Sequence, residues 1–383
     1  MNERLEWQTS LCSASFPAAA YEALCKRSAQ STPFNSLAWL RAAEQALQHG
    51  CTLHVLLLWQ GDRLIGCLPL VRCPLRLLGM TVHEVRHLGH PLSDRIGLLV
   101  EVTNPYLLER ALKAIRRRMP HARLQLNELP AIAAHQDLLG HWAMQSWQSE
   151  ARTSCRVPEH RLSEEDRQEA TGDTRYELRR ARKRTQACGA IVERITPDGT
   201  TIAQCLQTLE AVEAASWKGD NGVGIFSPGP HRDWIIRALT SLAAEGHVRV
   251  VQLSLEGRCI SYRLGLLDRG RLYDYNIAFL PEFASLGSGR LLLDEWFRWG
   301  LDEGWNYIDA SRVSLHQSNH QLHERMTGQV EHLRWSFYSR RPSGVALGLA
   351  YRLWLLVKPA LRAWRNRHAT TRVGRSAVKQ PSC

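Results

Sequence analysis

This chain of 383 residues has ten cysteines, yet no two stand in a Cys-x-x-Cys spacing. The absence argues against a zinc ribbon, and the scatter from Cys12 to Cys383 does not have the density of a small disulfide scaffold. The cysteines read as reduced, mostly buried thiols of a cytoplasmic protein. No apolar run reaches the roughly 18 residues a membrane-spanning helix needs. The nearest, Val345 to Val357, is broken by Arg352. Secretion is not expected, because MNERLEWQTSLCSASF carries charges where a signal peptide needs its hydrophobic centre. Nor does any segment read as a nucleophile elbow, which removes the clearest sign of serine-hydrolase chemistry. Acidic residues are short relative to basic ones, 37 against 49, for a formal charge of +12. That balance favours anionic partners: nucleic acid, anionic lipid, an acidic glycan or a phosphorylated cofactor.

What is present is the material of a packed globular protein, with 44% hydrophobic residues and 13 tryptophans. The length suits two domains of ordinary size. The chain also repeats itself. A helix near Leu37–Gln48, a strand from Leu53 to Trp59, a turn at Gln60–Arg63 and a returning strand from Leu64 to Val71 form one series. A helix at Asp233–Ala244, a strand from Val248 to Leu255, a turn at Glu256–Arg258 and a strand from Cys259 to Leu266 form its counterpart. Each series continues with a further strand, a helix (Pro105–Met119; Gly289–Glu303) and a closing strand (Leu124–Leu129; Trp305–Ala310). The pattern predicts an α/β protein with mixed sheet, made of two tandem units. The expected divisions are residues 1–150, a basic linker helix at 163–189, a second unit at 190–339 and a basic amphipathic tail at 340–383. The linker carries Arg175, Arg179, Arg180, Arg182, Lys183 and Arg184, and reads as a solvated, salt-bridged connector or as a basic face for an acidic substrate or RNA. Val345 to His368 suits either a membrane surface or packing against the core, with Pro359 kinking or ending the helix.

The most informative stretch is Leu286-Gly287-Ser288-Gly289-Arg290, set between a strand (Leu272 to Ala278) and a helix with Leu291, Leu292, Trp296 and Trp299 on one face. A Gly-x-Gly turn lets backbone approach a ligand closely. The unpaired N–H groups of the first helical turn then present a positive dipole end to a phosphate. Strand, turn and helix together make a pyrophosphate site the expectation.

The second half resembles the GNAT superfamily of acyl-CoA-dependent N-acyltransferases, more narrowly its CelD/BioF2-like branch associated with polysaccharide biosynthesis. Ser216-Trp217-Lys218-Gly219, the hairpin around Glu256-Gly257, Tyr273–Ala278, Pro281-Glu282-Phe283, Leu286–Gly289 and Trp305–Asp309 carry the resemblance, between Leu209 and Val330. The two-half architecture is similar to the Fem-type aminoacyltransferases. In the family's usual signature a Gln or Arg stands three residues before the first Gly, where this chain has Ala284. The resemblance implies that Leu286, Gly287, Ser288, Gly289 and Arg290 hold the pyrophosphate of acetyl-CoA or another acyl-CoA. It also implies a strand bulge exposing amides of Ile277, Ala278 and Phe279 to the thioester. One donor site is expected, because the equivalent first-half loop, His90–Arg95, has no Gly-x-Gly.

Transfer to an amine needs a proton acceptor and an oxyanion donor. Asp309, closing its strand, is a candidate base or ammonium ligand, and equally a turn cap. Tyr275 and Tyr273 alternate with Asp274 and Asn276, so one pair faces a cleft. Trp217 and Lys218 are candidate substrate contacts, or a buried Trp beside a surface Lys. No metal set is expected: His316, His320 and His323 share helical spacing but lack a carboxylate partner in a polar segment. The reading is direct attack by an amine, on a sugar or envelope precursor, on the thioester in a cytoplasmic or membrane-associated enzyme. Two alternatives stay open: an aminoacyl-tRNA-dependent Fem-type transferase, and a non-catalytic GNAT-fold protein binding an anionic glycan or membrane.

Overall fold

The computed structural model describes residues 3–77, 79–101, 105–310 and 326–376. The first half runs β1 (Glu3–Gln8), α1 (Ala18–Arg27), α2 (Leu37–Gln45), β2 (Thr52–Gln60), β3 (Arg63–Leu77), β4 (Met80–His87), β5 (Leu99–Val100), α3 (Pro105–Arg118), β6 (Arg123–Pro130), α4 (Ala133–Met144) and β7 (Gln148–Arg161). The connector is α5 (Gly172–Ala187). The second half is β8 (Ile191–Ile195), α6 (Ile202–Ala214), α7 (Trp217–Asp220), α8 (Pro230–Ala244), β9 (Val248–Leu255), β10 (Arg258–Asp268), β11 (Arg271–Phe279), α9 (Ser288–Glu303), β12 (Tyr307–Asp309) and β13 (Gly328–Tyr338), followed by α10 (Pro342–Ser376).

The repeat seen in the sequence becomes one continuous mixed sheet, ordered β1-β2-β3-β4-β6-β13-β7-β12-β11-β10-β9-β8, with β5 on β3. The order reads the same from both ends, each first-half strand matching its second-half counterpart. β4 runs parallel to β6, and β11 parallel to β12; the other pairs are antiparallel. At the centre the halves exchange strands. β7, from the first half, pairs with β12, whereas β13, from the second, pairs with β6. A boundary at residue 150 therefore falls inside β7, and the two units interlock rather than lying side by side.

Burial explains the strands. In β2 and β10, residues are buried on both faces, which is why both read as near-continuous apolar runs. Ser36 caps α2 by accepting from the Trp39 amide at 3.2 Å. Trp39 then meets Trp234 of α8 edge-on at 5.7 Å, and the Trp234 indole N–H donates to the Trp39 carbonyl at 3.2 Å. These paired helices bring one hydrophobic core through both halves, from Leu11 to Ala310. A second cluster lies in the first half, where α3 and α4 cover the sheet through Leu107, Leu112 and Trp142. Each large apolar side chain so buried contributes about 1.5–3 kcal/mol.

Two expectations change. Cys51 and Cys73 are joined as a disulfide between the start of β2 and the later part of β3, so they are not the reduced thiols expected from their scatter. Their pairing comes from strand register, which spacing in the sequence does not reveal. Pro359 does not end α10, which continues to Ser376.

Candidate active site

The site forms where the β11–β12 ladder stops. Parallel pairing covers only Arg271 to Tyr273 of β11, opposite Tyr307 to Asp309. Beyond Tyr273, no described strand pairs with the β12-facing edge of β11. On its other edge β11 pairs with β10 through an irregularity between Leu264 and Gly265, which leaves Tyr275 as the extra residue of a bulge. The expected bulge is thus two residues before Ile277. Ile277 and Phe279 are half-buried and Ala278 buried along this stretch.

α9 begins beside this edge. Gly287 sits at φ 72°, ψ 30°, ending the turn Pro281–Leu286 and starting the helix, a conformation that favours glycine. A Cβ there would stand 3.5 Å from Ala181 of α5, and one at Gly289 would stand 3.6 Å from Ile277 Cδ1. Both are ordinary contacts, so backbone dihedral, not crowding, demands Gly287. Leu286 and Ser288 are buried; Gly287, Gly289 and Arg290 are partly open. Beneath the turn, the buried Arg263 guanidinium donates to the Gly289 carbonyl at 3.2 Å and pairs with buried Asp274. α5 lines the turn as well. Arg184 donates to the Ser285 carbonyl at 2.5 Å, Arg290 pairs with Glu177 at 3.2 Å, and Arg182 pairs with Asp294 at 2.7 Å. The connector is therefore both salt-bridged and part of the loop's wall.

A buried polar network lies alongside. Glu213 of α6 accepts from the Phe226 amide at 2.8 Å and from Asn276 Nδ2 at 2.7 Å. Gly224 permits this closeness, since a Cβ there would fall 2.2 Å from Glu213 Oε1. Lys218 donates to Asn276 Oδ1, with its ammonium 4.0 Å from Glu213. Burial pushes the Lys218 pKa down, opposed by Glu213, Asp94 and Asp274. The alternative of a buried Trp beside a surface Lys is reversed: Trp217 is 53% exposed, whereas Lys218 turns inward.

The first half supplies the opposite wall. Tyr275 and Tyr273 face its aromatic cluster, Tyr275 lying 5.6 Å from both Phe34 and Trp39. The Tyr275 hydroxyl donates to the Leu92 carbonyl at 3.0 Å. Asp309 is buried and paired with Arg95, which also reaches Glu159 at 2.7 Å. Burial opposes the Arg95 charge, but Asp309, Tyr307 and Glu159 outweigh it and hold its pKa above the ordinary value. An aspartate locked to an arginine is a joint between halves, a poorer proton acceptor than its position in the sequence suggests. Sequence reading did not bring Glu213, Asn276, Arg263 and Arg95 together as parts of a site. Only the alternation along β11 pointed at Asn276; the others become partners through tertiary contacts. His316, His320 and His323 lie outside the described residues.

The arrangement can bind an anion at the α9 N-terminus and present backbone of β11 to a group laid along its β12-facing edge. Comparison with known proteins fits that frame. Residues 172–319 match the family model described as an acetyltransferase (GNAT) domain. Over the whole chain the structure is similar to FemX, with TM-score 0.60 and 10% identity, covering 93% of this chain and 100% of that one. It is also similar to the C-terminal domain (DUF2156) of an Agrobacterium fabrum protein described as a putative lysylphosphatidylglycerol synthetase, with TM-score 0.51 and 14% identity over 88% and 96% of the two chains. A conserved protein of unknown function from Bacteroides thetaiotaomicron gives TM-score 0.51 and 10% identity over 88% and 100%. No curated protein matches the sequence significantly.

Proposed function

We propose that the protein transfers an acyl group from acyl-CoA to a primary amine, a reading supported by the match of residues 172–319 to a GNAT acetyltransferase domain and by a fold similar to that of FemX. The observation that carries the reading is the end of the described β11–β12 pairing at Tyr273, beside the N-terminus of α9. A pyrophosphate at Ser288–Arg290 would lay the thioester along Ile277–Phe279, where strand amides can stabilise the tetrahedral oxyanion. Asn276, bridging Glu213 and Lys218, orders the polar wall facing that edge. Lys218, drawn inward to Asn276 and 4.0 Å from Glu213, places a cationic donor in that wall. The amine attacks the thioester carbonyl, the carbon–sulfur bond breaks, and CoA thiol leaves with a proton.

In this reading the acceptor is an amino sugar or envelope precursor, as the CelD-type resemblance implies. α10 suggests where it is met. Leu353 and Leu356 are 62% and 77% exposed, Leu349 and Val357 are exposed on the same side, and the helix is rich in Arg and Lys. Such a helix suits an anionic membrane surface. No described helix is long and apolar enough to cross a membrane.

Calorimetric titration with acetyl-CoA tests the donor, alongside Gly289→Asp. That substitution puts a carboxylate at the α9 N-terminus where backbone and space allow it. Micromolar binding by the wild type, lost in the variant, supports the reading. No binding of short or long acyl-CoAs at low salt would overturn it. Saturable tRNA binding that weakens with salt would then favour aminoacyl transfer, since the basic α5 flanks the same turn.

A further inference from the structure

Away from the cleft, three potential metal ligands converge where the exchanged strands meet. Glu128 comes from β6, Cys155 from β7 and His332 from β13, with ligand atoms all within 4.8 Å of one another. The backbone arranges this. His332 and Cys155 are cross-strand partners, which places their side chains next to each other on one face. On the other flank the β6–β13 register shifts between Leu333 and Trp335, so Asn127 and Glu128 together oppose Arg334. Glu128 takes φ 52°, a left-handed conformation that costs a non-glycine residue about 1–2 kcal/mol. The bulge brings its carboxylate to the Cys155–His332 pair.

The distances have the scale of a coordination shell. Cys155 Sγ is 3.5 Å, and His332 Nδ1 3.8 Å, from Glu128 Oε2. Ligand atoms bonded at about 2.0–2.3 Å to a tetrahedral ion stand roughly 3.3–3.8 Å apart. His332 supplies an independent sign. Its exposure is 0%, and among the described residues neither ring nitrogen has a hydrogen-bond partner. A buried polar atom left unsatisfied costs about 1–3 kcal/mol, which a metal on either nitrogen would relieve in part.

We propose that Glu128, Cys155 and His332 bind a zinc ion. Thiolate, imidazole and carboxylate form a donor set suited to zinc rather than to magnesium or calcium. Binding forms a zinc–sulfur bond and releases the Cys155 thiol proton to solvent. A water completes the tetrahedron, and the Ser154 hydroxyl, 3.3 Å from Glu128 Oε2, steadies the carboxylate. The ion ties together β6, β7 and β13, where the two halves interlock. It also supports the cleft wall, because the Glu128 carbonyl accepts from the Ile96 amide at 2.9 Å, next to Arg95.

Full-length protein purified without chelator should contain about one zinc per chain by mass spectrometry. After chelation, cobalt(II) titration should produce a near-ultraviolet thiolate-to-cobalt charge-transfer band. Cys155→Ser should remove the band, and His332→Gln should weaken zinc binding at least tenfold. The wild type alone can refute the idea: folded protein that holds no zinc and gives no such band on cobalt addition overturns it. A band that survives Cys155→Ser but vanishes when the exposed Cys12 and Cys188 are replaced also overturns it.

Discussion

Arg95→Met removes the cation that joins the first-half loop to the second-half closing strand. The replacement keeps most of the side chain's length and apolar stem. It leaves Asp309 and Glu159 facing each other across the buried space Arg95 occupied. At an effective dielectric of about 20, the 2.7 Å contact with Glu159 alone corresponds to roughly 6 kcal/mol of attraction. Desolvation of the guanidinium cancels part of this, and Glu159 keeps 20% side-chain exposure, which screens it further. Loss of one partner from a buried pair typically costs about 3–5 kcal/mol, and that is the expected fall in unfolding free energy. Asp309→Asn should be less damaging in the Arg95→Met background than alone, by about 1–3 kcal/mol of coupling. Urea unfolding followed by tryptophan fluorescence, over the full mutant cycle, measures both quantities. A cost below about 1 kcal/mol for Arg95→Met, or additivity within about 0.5 kcal/mol, would refute the view that this cluster fastens the halves.

Gly287→Ala should cost about 1–2 kcal/mol because φ is 72° there, whereas Gly289→Ala should be close to neutral; equal costs by chemical denaturation would contradict the capping role. Burial lowers the pKa of His87 to about 3, and burial with Arg86 nearby lowers that of His90 to about 4. The unfolded chain thus binds more protons below its ordinary histidine pKa of about 6.5. Stability should be full above that pH and fall as pH drops towards about 3, with a shallower slope in His87→Gln; a flat urea midpoint across this range would refute the assignment. Replacing Leu353 and Leu356 together by Glu should reduce co-flotation with phosphatidylglycerol vesicles at least tenfold, each leucine contributing about 1.5–3 kcal/mol when buried in the interface. Unchanged flotation would exclude this face of α10.

Periodicity and turn chemistry make the paired helix–hairpin–strand–helix–strand series legible in the sequence, because those signals act within a few residues. The same locality exposes the Gly287–Gly289 turn, whose left-handed dihedral is a demand of its own backbone. Side-chain destinations are a different matter. Alternation says that Tyr275 and Asn276 face opposite ways, but not that Tyr275 meets Phe34 and Trp39 while Asn276 meets Glu213. Trp217 and Lys218 exchange their expected places because Glu213 and Asn276 offer Lys218 an inward partner that no neighbouring residue announces. Asp309 reads as an open carboxylate until Arg95, from the other half, is brought against it. The interlocking of β7 and β13, the Cys51–Cys73 bond and the Glu128–Cys155–His332 cluster arise in the same way. Local propensity and hydrophobic period suffice to settle, in the sequence alone, which segments become helices, strands and the Gly-x-Gly turn. Only the tertiary structure decided which buried charges and ligands meet, because those contacts are set by strand register and by packing between residues far apart in the chain.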